Sequence, residues 1–482
     1  MQLSFQTKII SKNIIFITSS TIICSLVHFL FSVYSRKFVN VTDYGIYTSC
    51  LILATYMNYA QLGVLNSYNR DYPQLIGGNH KKDAEHLRNV TLTYILGVFI
   101  ATAIIAEIII FIIGRINTGI SQYMICGLMI TAIMVVFSAL EQFSSYSIRM
   151  DGYFNFSAVV NIIKTVLSVT VGLIAIREFG YYALYVATPL AAILSLAMQY
   201  NKSFRSFRPT WDKSLIKQLI YTGIPLLINA LIWTVVTSID KFIILIFMDT
   251  TAMGYYSIAL LGFSTMVLIP QSMSQLFYIK MGEEYGRTLS NSNLVSTACR
   301  FTKWVSLFTG VSVVVAFYGL PIFVMFFMPN YSDGVMAAQI MLLGVAIYAS
   351  TMLFGNIFTI LKLNKLLLNN TLWLCVFNTV LSSVFVLALG KKIEYIAMGT
   401  SLSYVLYSIL LILRLRYNLK EPIKQIVISS WAPVSIAIIS CLAFYWANCS
   451  IIMQFICSIL VMTILILILF HKEIKTTLKH PK

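Results

Sequence analysis

Apolar runs of close to 20 residues, separated by short polar breaks, recur along this chain from one end to the other. A helix needs about 20 apolar residues to cross the hydrocarbon of a bilayer. Each run is therefore predicted to be one crossing. The runs fall near 14–34, 44–66, 90–113, 121–145, 155–176, 180–200 and 216–238, then near 254–276, 302–327, 335–361, 366–389, 394–413, 427–447 and 450–470. The predicted class is all-α, a polytopic membrane protein of about fourteen transmembrane helices. The first run is too long for the apolar core of a cleavable signal, and no small-residue cleavage site marks it as one.

Composition agrees. The chain has 482 residues, of which 59% are hydrophobic and 11% charged, against roughly a quarter charged in soluble proteins. A net charge of +17 raises the question of nucleic acid, and the placement of the charge answers it. With the N-terminus in the cytoplasm and loops assigned alternately, most of the 34 Lys and Arg collect on the cytoplasmic side. That is the positive-inside asymmetry of membrane proteins. It predicts cytoplasmic N- and C-termini and makes membrane lipids, not nucleic acid, the partner. The longest hydrophilic connections, 67–89 and 277–301, also fall on that side, and the outer loops are short.

Enzyme chemistry finds no foothold. The eight Cys are scattered singly without metal-ligand spacing. No phosphate-binding glycine loop, paired-His metal motif or nucleophile elbow occurs. No cofactor or metal is expected. A membrane-embedded polymerase or glycosyltransferase needs a larger outer loop for its acid, base and metal groups.

A weak internal repeat is visible. Asp43-Tyr44-Gly45-Ile46-Tyr47-Thr48 opens the second run, and Ala252-Met253-Gly254-Tyr255-Tyr256-Ser257 opens the eighth. Each follows a charged cluster, Arg36-Lys37-Phe38 or Asp240-Lys241-Phe242. The expected organisation is an N-terminal lobe over 1–213, a C-terminal lobe over 214–420, and two additional helices with a basic tail over 421–482. The lobes would be parallel repeats of six helices each.

Polar residues inside apolar runs carry the remaining signal. Thr18, Thr21, Ser25, His28, Ser32 and Arg36 recur at intervals of three and four, which puts them on one helix face. Ser157, Asn161, Lys164, Thr165, Ser168 and Gly172 do the same, as do Thr222, Asn229, Trp233, Thr237 and Asp240, and Thr48, Thr55, Tyr59 and Asn66. Such stripes serve either a polar cavity or close packing between membrane helices. Lys164 is the sharpest of these residues, because a central Lys costs about 2.5–3.5 kcal/mol on insertion scales. It either contacts an anionic group of a substrate or pairs with Glu107 or Glu141, both also inside runs. Glu107, Glu141 and Asp240 are the candidate coupling or ion-pair carboxylates. Gly223 and Pro225 are candidate bending points in the seventh run.

Several segments resemble a known family. They are Asp43-Tyr44-Gly45-Ile46-Tyr47, Tyr221-Thr222-Gly223-Ile224-Pro225-Leu226-Leu227, Ser238-Ile239-Asp240-Lys241-Phe242-Ile243-Ile244 and Met253-Gly254-Tyr255-Tyr256-Ser257. With them the chain is similar to the polysaccharide-biosynthesis flippases, the O-antigen type within the multidrug/oligosaccharidyl-lipid/polysaccharide exporter superfamily that also contains the MATE transporters. The resemblance implies a two-lobed bundle with a central cavity that works by alternating access. It implies a bacterial inner-membrane location and an undecaprenyl-pyrophosphate-linked oligosaccharide as cargo, with other polysaccharide assembly proteins as partners. Arg36, Lys37, Lys164 and Lys241 are the cations expected to meet such a cargo, with Thr21, Ser25, Asn161 and Asn229 for sugar hydroxyls. Six of these come from the polar stripes and two, Lys37 and Lys241, from the charged clusters that end them; none is carried over from a family site. The competing expectation in the same superfamily is a cation-coupled multidrug antiporter.

Overall fold

The computed structural model describes residues 20, 23–116, 121–180, 182–204, 207–361, 363–419, 422–445, 450 and 452–464. Among these, every regular element is helical, and each predicted apolar run lies wholly or partly on a helix. The order is α1 (23–38), α2 (Val41–Met57), α3 (Val64–Gly77), α4 (Lys81–Ile116), α5 (Gln122–Met150), α6 (Phe154–Phe179), α7 (Tyr182–Ser203) and α8 (Lys213–Phe247). There follow α9 (Thr250–Thr288), α10 (Asn291–Phe327), α11 (Val335–Ile360), α12 (Asn364–Leu389), α13 (Ile393–Leu419), α14 (Ile423–Tyr445) and α15 (Ile452–Ile464). Eleven helices among the described residues are long and apolar enough to cross a membrane. The chain is a multi-pass membrane protein.

One predicted span is not a single helix. The run 44–66 divides into α2, a 3-10 turn at Asn58–Gln61, and α3. Leu62 (φ 50°) and Gly63 (φ 82°) both adopt left-handed backbone between them. Two such residues in succession end a right-handed helix. Glycine takes this conformation without steric cost, so Gly63 makes the reversal feasible. Side chains satisfy part of the freed backbone: Gln61 Oε1 accepts from Leu65 N–H at 3.0 Å, as backbone groups within a bilayer require.

The chain packs as two compact units, 1–234 and 235–482, with the division inside α8. In the first unit α5 is central and touches α2, α4 and α7. Tyr68, Leu92, Ile95 and Phe143 are buried at its core, and Tyr68 and Phe143 stack with centroids 5.3 Å apart. Gly172 of α6 lies flat against the Phe31 ring of α1. That is the close approach small residues permit between membrane helices. The start of α8 belongs to this unit. Gly223 and Gly63 meet backbone to backbone so closely that a β-carbon on either would penetrate the other's carbonyl group. Ser67 Oγ fixes the same contact by donating to Leu219 O at 2.7 Å and lying 2.9 Å from Thr222 Oγ1. Helix α8 continues through Pro225, so the observed role of Gly223 is close approach.

In the second unit α11 is central, packed on α9, α10, α13 and α14. Gly344 admits Ser401, and Gly399 admits Ser382. The last two helices join this unit through α10: Ser306 Oγ donates to Ser430 O at 2.5 Å, Tyr318 OH to Cys441 O at 3.0 Å, and Ser458 Oγ to Tyr318 OH at 3.0 Å.

Candidate functional site

The break between α2 and α3 forms part of a cavity of about 560 Å³ within the first unit. Thr55, Asn58, Tyr59, Gln61, Asn66, Ser138, Glu141, Gln142, Leu227 and Ala230 line it. The 3-10 turn supplies three of these polar groups because its tighter winding and the left-handed exit turn Asn58, Tyr59 and Gln61 away from the register of α2. Tyr59 OH donates to Ala230 O at 3.0 Å and also bonds Thr234 Oγ1, which fixes the ring to α8. Asn58 Nδ2 donates to Ala54 O at 2.8 Å.

The cavity has one charged wall residue, Glu141, and that group is paired. Lys164 Nζ on α6 donates to Glu141 Oε2 at 3.1 Å, and Ser145 Oγ donates to Oε1 at 3.3 Å. The side chains are 27% and 15% exposed respectively, so the pair is neither sealed nor open. Two opposite charges in contact cost far less inside a membrane than either alone. The two readings of Lys164 meet here, since its carboxylate partner lines a polar cavity.

The remaining expected residues are dispersed. Arg36 is buried (3% exposed), donates to Ser32 O at 2.7 Å and to Ser32 Oγ, and lies over the Tyr44 ring at 4.2 Å. Lys37 is exposed. Ser25 and Asn161 are half-buried, and Asn161 Nδ2 reaches Cys24 Sγ at 3.5 Å. Thr21 lies outside the described residues, and so does the side chain of Asn229. On α4, the buried Oε1 of Glu107 has no hydrogen-bond partner among the described residues. In the second unit, Asp240 is 4% exposed and accepts from Tyr256 OH at 2.6 Å, Thr400 Oγ1 at 2.8 Å and Asn378 Nδ2 at 3.1 Å. Lys241 beside it is half-buried.

A second polar cluster ties α3, α4 and α5 together. Arg88 Nη2 donates to both oxygens of Asp151, at 2.6 and 2.5 Å, and Tyr72 OH donates to the same carboxylate at 2.7 Å. The segment before α8 docks on α4 as well. Arg208 N–H donates to Asn89 Oδ1 at 3.3 Å, Thr210 N–H to Thr93 Oγ1 at 3.0 Å, and His86 Nε2 lies 3.2 Å from Asp212. Asp212 caps α8 by accepting from Ser214 and Leu215 N–H. The Ser214 hydroxyl bond foremost, then the Leu215 N–H and His86, hold its carboxyl well below the usual carboxylate range.

Asn58, Gln61, Ser138 and Gln142 were not among the expected site residues. For Asn58 and Gln61 a signal was available, the cluster of amides and a glycine interrupting an otherwise apolar run.

The model of the family described as polysaccharide biosynthesis protein matches residues 35–278, slightly over half of the chain. No curated protein sequence matches. Among solved structures, the lipid II flippase MurJ in an inward closed conformation superimposes with a TM-score of 0.73 at 17% identity, over 95% of this chain and 100% of that one. An inward-facing MATE multidrug transporter of the MOP superfamily gives 0.68 at 14% identity, over 81% and 94%. A MOP superfamily transporter from Pyrococcus furiosus gives 0.60 at 15% identity, over 85% and 97%. With a fold shared with MurJ and the MATE transporters and a family match across its first unit and beyond, the chain belongs to the polysaccharide biosynthesis protein family.

Proposed function

We propose that this protein is a flippase that carries an undecaprenyl-pyrophosphate-linked oligosaccharide, an O-antigen or related repeat unit, across the bacterial cytoplasmic membrane by alternating access. The observation that carries the reading is a polar cavity inside an apolar helical bundle of the polysaccharide biosynthesis protein family. A pyrophosphate and several sugars cannot enter hydrocarbon without losing their hydration, at a cost of several kcal/mol per unpaired group. A wall of hydroxyls, amides and paired charges replaces that hydration. The lipid tail stays in the bilayer. The protein acts as a transporter, not an enzyme, with both termini in the cytoplasm and other polysaccharide assembly proteins as neighbours. Arg36, Lys37, Lys164 and Lys241 are the cations assigned to the anionic end of the cargo, and Lys164 is the one of them held beside the cavity, through its pair with Glu141.

Complementation tests this directly. Expressed in strains that lack their own flippase and accumulate lipid-linked repeat units, the protein restores surface polysaccharide in at least one of them. Lys164→Ala at matched expression lowers the yield, and Lys164→Arg retains more. No restoration in any strain of a broad panel rejects the reading.

A further inference from the structure

The cavity in the first unit is unlike an anion site. Among the described residues, its ten lining residues include one carboxylate and no Lys or Arg. The nearest cation bonded to that wall, Lys164, is already paired with Glu141 at 3.1 Å. What the wall offers instead is four carboxamides, on Asn58, Gln61, Asn66 and Gln142, with hydroxyls on Thr55, Tyr59 and Ser138. We propose that this cavity is the glycan subsite: it receives the neutral, hydroxyl-rich sugars of the lipid-linked cargo and not its pyrophosphate. The assignment rests on the flippase reading above.

The hydrogen-bond inventory supports it. A carboxamide offers both donors and acceptors, and so does a sugar hydroxyl, whereas an ionised phosphate only accepts. The local bonds consume one end of several amides and leave the other. Asn58 spends its Nδ2 on Ala54 O, which leaves Oδ1. Gln61 spends Oε1 on Leu65 N–H, which leaves Nε2. Gln142 uses Nε2 in a long 3.4 Å contact to Tyr146 OH, which leaves Oε1. Asn66 makes no side-chain hydrogen bond among the described residues. The wall therefore presents donors and acceptors together, as an array of hydroxyls requires. Glu141 and Lys164 already neutralise each other, so the wall offers an anion no uncommitted positive charge among the described residues. About 560 Å³ lies within the roughly 300–1,000 Å³ typical of small-molecule sites.

The test separates this proposal from the reading beneath it. Lipid-linked glycan is extracted from a flippase-null strain that the wild-type chain rescues, and its binding to the purified full-length protein is compared with that of undecaprenyl pyrophosphate alone. The N66L/Q142L variant is expected to bind the glycan-bearing lipid about tenfold more weakly, the yield of roughly two lost hydrogen bonds, and the bare lipid within about twofold. The single variants Asn66→Leu and Gln142→Leu, each losing about threefold on the same scale, carry the comparison should the double variant not fold. Unchanged affinity for both lipids, or an equal loss for both, overturns the glycan assignment and leaves the flippase reading standing. Failure of the wild-type chain to rescue any strain removes both.

Discussion

Replacing Gly63 by alanine is expected to destabilise the protein by about 2–5 kcal/mol, from two contributions that the backbone fixes. Gly63 has φ of 82°, and a β-carbon in left-handed backbone costs about 1–2 kcal/mol. That β-carbon would also fall within the carbonyl group of Gly223, and forcing an atom into a packed contact costs about 1–3 kcal/mol. Gly223→Ala meets the second cost only, in a right-handed helix where alanine gains about 1 kcal/mol over glycine. Its net loss is smaller. Gly97, in α4, is the internal control, since a β-carbon there meets nothing within 4 Å and the substitution gains about 1 kcal/mol from helix propensity. Thermal unfolding of the purified protein in detergent, followed by its monodisperse fraction, should give midpoints in the order Gly97→Ala, wild type, Gly223→Ala, Gly63→Ala. A Gly63→Ala midpoint equal to that of the wild type would refute the proposed packing of the broken span.

Three further outcomes follow from the polar contacts. Removing either charge of the Lys164–Glu141 pair should cost about 1–3 kcal/mol, less than the 3–5 typical of a fully buried pair, because the side chains are 27% and 15% exposed. The double variant K164M/E141Q should recover part of that loss in a double-mutant cycle read by thermal unfolding. Asp240→Ala takes the carboxylate from Tyr256 and Asn378, while Thr400 keeps Asn378 Oδ1 and Ile396 O as acceptors, and should cost about 2–5 kcal/mol, whereas Asp240→Asn keeps one acceptor oxygen and should cost less by the same measurement. For Asp212 the folded carboxyl lies below its unfolded value, so its contribution is present above about pH 4 and fades as pH falls toward the folded value. The Asp212→Ala variant should therefore unfold earlier than wild type at pH 7, with the gap closing in acid.

The helical class was legible because hydrocarbon sets a length, and the apolar runs keep it. The interruption at 58–63 was not, because window hydropathy averages Asn58, Gln61 and Gly63 with the leucines and isoleucines around them. Asn58, Gln61 and Gly63 together hinted at a break, but amides and a glycine in an apolar run have several other uses. The sequence left Lys164 a substrate anion or one of two carboxylates, Glu107 and Glu141, as its partner. Choosing Glu141 over Glu107 needs the rotation of α5 against α6, which no single helix encodes. Asp240 stood out at the end of its stripe, yet its donors Asn378 and Thr400 come from helices 138 and 160 residues away. Polar residues there do recur at helical spacing, Asn378 with Ser382 and Thr400 with Ser403, but spacing along one helix does not say which other helix that face meets. The cavity wall was half visible in Thr55, Tyr59 and Asn66, which share a stripe. Ser138, Glu141, Gln142 and Ser145 share one face of α5, but spacing alone does not say whether such a face packs against a neighbour or borders a cavity.

The central claim is passage of a lipid-linked glycan from one leaflet to the other. The direct measurement uses vesicles containing the purified protein and an undecaprenyl-pyrophosphate-linked glycan bearing a fluorophore on its sugar, with a membrane-impermeant quencher added outside. If the protein is a flippase, quenching proceeds past the outer-leaflet half of the signal at a rate that rises with protein content. A plateau at that half, the same as in protein-free vesicles, would contradict the account.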